Sequence, residues 1–90
     1  MGTALVKLKI MPESPGVDLE ALKQKITESI KADVDSDIKF EEEPIAFGLT
    51  ALITQFAIDE SKQIDPIQEK VTSIENIKSA EVADFRRAFG

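Results

Sequence analysis

Ninety residues, 42% of them hydrophobic and 31% charged, describe one small globular domain rather than a disordered tail. Cysteine, histidine, tryptophan and tyrosine are absent, which excludes disulfides, thiolate metal sites and the usual general base near neutral pH. A net charge of −6 disfavours nucleic acid and anionic lipid and favours a partner with a basic surface.

From Ala4 to Met11 the chain alternates. Val6, Leu8 and Ile10 fall to one side, and Leu5, Lys7, Lys9 and Met11 to the other, which predicts a strand with one buried and one mixed face. Lys7 and Lys9 also interrupt any signal-peptide pattern, and no apolar run approaches bilayer length, so a soluble cytoplasmic protein is expected. Myristoylation at Gly2 is not expected, because Val6 stands where that motif wants Ser or Thr. Pro12, Pro15 and Gly16 end the strand.

Asp18 is a good N-cap, and the charge of Glu20 in the first turn suits the helix dipole. Leu19, Leu22, Ile26 and Ile30 recur at helical spacing, predicting an amphipathic helix that ends between Lys31 and Asp33. The run Asp33-Val34-Asp35-Ser36-Asp37 opens like a calcium loop. It departs from that pattern where Ile38 takes the sharp-turn glycine position and Pro44 the bidentate glutamate position. It reads as a polar turn, and no metal site is expected.

Residues 37–43 alternate again, with Ile38 and Phe40 opposed to Lys39 and Glu41. Frequent charge and the stop at Pro44 place this second strand at a sheet edge. Glu41, Glu42 and Glu43 read as a solvated edge, since three consecutive strand residues cannot all face one ion. A shaped loop through Phe47 and Gly48 leads into Leu49 to Ile58, the most apolar segment of the chain. Leu52, Thr54, Phe56 and Ile58 form the bulkier face, expected to pack on helices, and the other face is apolar enough to make the strand central.

Asp65, Pro66 and Gln68 carry a helix start, with Asp65 as cap, Pro66 at the first helical position and Gln68 closing a capping box. Ile67, Val71 and Ile74 give its buried stripe, and Asn76 its end. Ile77 to Phe85 is a fourth strand of weaker pattern, with Val82 its best apolar residue. Phe85 and Phe89 are candidates to pack it, Phe89 alternatively belonging to a frayed tail.

The order βαββαβ predicts an α+β, ferredoxin-like sandwich: a four-stranded antiparallel sheet with two helices on one face, in one domain over residues 1–90. That fold serves many functions. Paired aromatics for stacking bases, a CxxC metal motif and a phosphate-cradling glycine loop are all missing. A protein-binding domain or a small-molecule-sensing regulatory domain remains. Neither a nucleophile nor an acid–base pair emerges, so no enzyme is expected.

Pro44-Ile45-Ala46-Phe47-Gly48-Leu49, followed by a long strand ending Ala57-Ile58-Asp59-Glu60, resembles the central signature of translation elongation factor 1 beta. Ser79-Ala80-Glu81-Val82-Ala83-Asp84-Phe85 and the opening Val6-Lys7-Leu8-Lys9-Ile10-Met11-Pro12 resemble that family too, so the likeness spans nearly the whole chain. The resemblance implies a guanine-nucleotide exchange factor for elongation factor 1 alpha, of the archaeal form in which this domain stands alone. It implies that the aromatic between strands two and three, here Phe47 beside Gly48, contacts the GTPase. The family's basic residue near the C-terminus, placed beside the Mg²⁺ site, falls on Arg86-Arg87, with Arg87 the closer match. That residue is usually lysine, and arginine brings a wider planar head. The expected partner is elongation factor 1 alpha, with no cofactor, direct nucleic-acid contact or membrane, and the chain acting as a monomer.

Two readings of Phe47 stand side by side: an interface anchor, or an aromatic folded back over the end of the core. The alternative function, a small-molecule-sensing regulatory domain, predicts a thermal shift with a metabolite and no effect on the GTPase.

Overall fold

A computed structural model describes residues 2–88; Phe89 lies outside the described residues. The elements follow the expected order: β1 (Thr3–Pro12), α1 (Leu19–Ile30), β2 (Lys39–Pro44), β3 (Thr50–Asp59), α2 (Asp65–Thr72) and β4 (Ile77–Ala88). The strands form one antiparallel sheet in the order β2-β3-β1-β4. The two most apolar strands, β1 and β3, are therefore central, and β2 is an edge.

One face of the sheet carries both helices. Ala4, Val6, Leu8 and Ile10 of β1 and Leu52, Phe56 and Ile58 of β3 pack against Leu22, Ile26 and Ile30 of α1 and Ile67 and Val71 of α2. Each such Leu, Ile or Phe stabilises the fold by about 1.5–3 kcal/mol on burial. The Phe56 face is thus the helix-covered one, as its volume predicts.

Thr54 sits at the centre of that face, fully buried and opposite Leu8. Its Oγ1 has no hydrogen-bond partner among the described residues. A buried hydroxyl without a partner costs about 1–3 kcal/mol of desolvation. Thr54→Val keeps the shape and removes the hydroxyl. It is expected to raise stability by about 1 kcal/mol, read as a higher urea midpoint at constant slope.

The local signals hold at α1 and change at α2. Asp18 caps α1, its Oδ1 accepting from Glu20 N at 3.0 Å and Ala21 N at 3.4 Å. The box predicted around Asp65 does not form. Asp65 is itself the first helical residue, Ile64 is the cap without a side-chain bond, and α2 stops at Thr72, short of Asn76. Gln68 is drawn away from the helix end because its Nε2 donates to Ala80 O of β4 at 2.6 Å. Asn76 instead takes a left-handed turn, φ 73°, leading into β4.

β4 pairs with β1 through two register shifts, between Met11 and Pro12 and between Lys7 and Leu8. Each inserts an extra residue into β4 and breaks the period of two. Ile77, Ala80, Val82, Phe85 and Arg87 consequently stand opposite Pro12, Ile10, Leu8, Val6 and Ala4. All five belong to the helix face, at alternating spacings of three and two.

The polar turn after α1 closes a gap in the sheet. β2 begins opposite Gln55, so among the described residues no strand lies beyond Ala57 and Asp59 of β3 on that side. Asp35 N donates to Ala57 O at 2.8 Å, Ser36 Oγ accepts from Ala57 N at 2.8 Å, and Asp35 Oδ2 accepts from Asp59 N at 2.7 Å. Lys62 pairs with Asp35 at 3.1 Å, and Lys70 pairs with Asp33. The loop thus imitates an edge strand with side chains.

The hydrogen bond from Asp59 N holds the Asp35 carboxyl below its ordinary range, helped by Lys62. The Ser61 backbone and hydroxyl do the same for Asp59. A carboxyl whose folded value is depressed stabilises the fold above its unfolded value, near pH 4, and loses that contribution as pH falls through the folded value. The thermal midpoint is therefore expected to be flat above about pH 5 and to fall below about pH 4. Asp35→Asn should shallow that acid limb. An unchanged limb would remove Asp35 from it.

Candidate partner-binding site

Phe47 and Gly48 are the two central residues of the hairpin turn between β2 and β3. Leu49 N donates to Ala46 O at 3.3 Å across the turn, and Ile45 N donates to Leu49 O at 2.8 Å. Phe47 has φ 63° and Gly48 φ 77°. Positive φ at both central residues is the type I′ pattern, whose twist matches that of the flanking strands. Glycine meets that demand freely. At the first central place the turn favours Asn, Asp or Gly, and phenylalanine there is strained by about 1–2 kcal/mol.

The aromatic gains no burial in return. Phe47 is 94% exposed, so it does not fold back over the core. A Cβ on Gly48 would sit 3.9 Å from Pro15, an ordinary contact, so backbone φ rather than space calls for glycine there. The same contact sets the loop after β1 beside the hairpin turn.

The two arginines lie on β4 and face opposite ways. Arg86 stands opposite Leu5 on the open face of the sheet, and Arg87 opposite Ala4 on the helix side. Asp84 Oδ2 holds Arg86 Nε at 2.9 Å. Arg87 is exposed, and among the described residues it makes no ion pair. Its charge is therefore the more available of the two.

Phe47 and Arg87 are not brought together. Phe47 precedes Thr50 at the start of β3, whereas Arg87 lies opposite Ala4, which lies opposite Ile58 near the end of β3. Those eight strand steps are roughly 26 Å at about 3.3 Å per residue, along a body 42 Å long. The four expected site residues thus form two patches, Phe47 with Gly48 at one end and Arg86 with Arg87 at the other.

Two features escape a reading by pattern alone. Asp84 pairs with Arg86 two residues on, along the same face of β4, an ion pair that no pattern announces. The exposure of Val82 and Phe85 follows from the short reach of α2. The turn type was within reach: a two-residue Phe-Gly link between strands, where Asn-Gly is preferred, marks an aromatic that the backbone does not ask for.

Among the described residues, no helix is long and apolar enough to cross a membrane. Residues 5–88 match the family model of the EF-1 guanine nucleotide exchange domain. The chain is 47% identical over 81 residues to an elongation factor 1-beta of Methanosphaera stadtmanae, covering 89% of this chain and 90% of that one. It is 44% identical over 88 residues to the elongation factor 1-beta of Methanobrevibacter smithii, covering 97% and 98%. Over 88 residues it is 41% identical to that of Methanosarcina barkeri, covering 97% and 99%.

Proposed function

The chain belongs to the EF-1 guanine nucleotide exchange domain family, and from that premise we propose that it releases GDP from elongation factor 1 alpha in the cytoplasm. It acts as one domain and one copy, by protein contact rather than covalent chemistry. Arg87 works beside the Mg²⁺ and phosphates of the bound nucleotide, and Phe47 with Gly48 grips the GTPase at a second place. Arg86 supports the first contact from the opposite face.

The physical basis is linkage. A chain that binds the nucleotide-empty GTPase more tightly than the loaded one must weaken GDP by the same factor. GDP is held largely through its phosphates and Mg²⁺, so a permanent cation brought there competes with the metal. Arginine can also offer its planar fork to phosphate oxygens.

The observation that carries the reading is the family match over residues 5–88. Two local facts support the roles of individual residues. An aromatic kept 94% exposed in a strained turn suits an anchor. An exposed arginine without an ion pair among the described residues suits delivery of charge.

The test is release of a fluorescent GDP analogue from elongation factor 1 alpha in excess GTP. Catalytic amounts of the chain should raise the release rate well above the intrinsic one. An unchanged rate at saturating chain would sink the proposal.

A further inference from the structure

The large exposed apolar residues among those described are Leu5, Phe47, Val82 and Phe85. Two of these lie on β4, on one face. Val82 stands opposite Leu8, Phe85 opposite Val6 and Arg87 opposite Ala4. Those β1 partners are buried under the helices, so the three β4 side chains share the helix side.

Val82 and Phe85 are nonetheless 39% and 43% exposed. The cause is a mismatch of lengths. α2 has 8 residues and β4 has 12, so the helix covers about 12 Å of a strand about 40 Å long. It rests on the first part of β4, where Ile77 and Ala80 are buried and Gln68 bonds Ala80 O. Beyond Ala80 the inward-facing side chains are left partly bare. The result is an apolar strip along an edge strand, with an arginine at its end.

We propose that Val82 and Phe85 are the seat against which the GTP-binding protein rests while Arg87 acts, meeting an apolar patch that borders the phosphates of its nucleoside diphosphate. This rests on the exchange reading and adds to it the surface beside the cation. Charge argues for that occupant. The strip ends in a guanidinium without an ion pair among the described residues, whereas the neighbouring Arg86 is held by Asp84. Phosphate oxygens are the natural complement of such a group. A strip that is apolar up to the cation keeps water from screening the contact. The seat therefore sets affinity and Arg87 sets the rate of the step.

The experiment titrates elongation factor 1 alpha carrying fluorescent GDP with wild type, Val82→Asp and Phe85→Ala, and measures direct binding by calorimetry. Each variant is expected to raise the half-maximal concentration and the Kd at least tenfold. Arg87→Ala should instead act mainly on the limiting rate. Val82→Ser replaces Val82→Asp if its thermal midpoint falls. Wild-type Kd in both a Val82 and a Phe85 variant overturns the seat. Concentration-dependent dimers of the wild type that Val82→Asp abolishes also overturn it, since the strip then meets a second copy. Wild type that binds without speeding release overturns the exchange reading alone, and the variants' Kd still decides the seat. Wild type that does not bind overturns both.

Discussion

Arg87→Ala is expected to lower the limiting rate of stimulated GDP release by about 10- to 100-fold, the rate equivalent of one charge-assisted contact of about 1.5–3 kcal/mol. Stability should change by less than about 0.5 kcal/mol, as for other surface substitutions. The reason lies in where the residue sits. Arg87 is exposed at the end of β4, and its truncation breaks no ion pair among the described residues. Arg87→Lys keeps the charge but loses the planar fork, and should retain part of the rate. Arg86→Ala should cost less than Arg87→Ala, because the Arg86 guanidinium is already committed to Asp84. The comparison is made at saturating chain, by stopped-flow release of a fluorescent GDP analogue. A wild-type limiting rate in Arg87→Ala would take that residue out of the mechanism.

Phe47→Ala is expected to weaken the complex with elongation factor 1 alpha by about 2 kcal/mol or more, the loss typical of an interface anchor. That is roughly a 30-fold rise in Kd. The isolated chain should hardly notice, since a side chain that is 94% exposed buries almost nothing. Phe47→Asn sharpens the test. Asparagine tolerates φ near 63° far better than phenylalanine does. It should leave the chain as stable or a few tenths of a kcal/mol more stable, while binding falls as for alanine. Stability up and affinity down would show that the aromatic serves contact against the preference of its own turn. Undiminished affinity would return Phe47 to the role of connector. Calorimetric titration and a denaturant midpoint on the same three proteins supply both readings.

Periodicity carried much of the architecture. The alternation of β1, the continuous apolar run of β3 and the helical spacing of Leu19, Leu22, Ile26 and Ile30 report burial directly, because burial is what creates such patterns. β4 was harder to read, and the reason is local. Two extra residues displace its inward set to Ile77, Ala80, Val82, Phe85 and Arg87, a spacing no period of two detects. The start of α2 misled for a different reason. Its capping signature is complete in the sequence, but the Gln68 side chain is held instead by β4, where its Nε2 donates to Ala80 O. The acidic run after α1 is the polar turn its composition predicts, yet its task is tertiary and depends on β2 beginning only at Lys39. For the candidate site, residue types and likeness pointed to Phe47 and the two arginines. Which arginine is free depended on the Asp84 ion pair, which no pattern announces, whereas the two extra residues of β4 cancel in parity and leave Arg87 on the face of Ile77, as plain alternation has it.

The separation of the two patches has a mechanical meaning. Phe47 and Arg87 are joined through β1, β3 and β4, hydrogen-bonded along their length and packed on one core. Such a path behaves as a calliper with its jaws locked, since native interiors are as dense as crystals and yield little. If both jaws engage one GTPase, the distance between their two footholds on it is imposed by this chain. Any hinge or sliding that lets the nucleotide out then takes place within the GTPase, measured off against a gauge that does not bend.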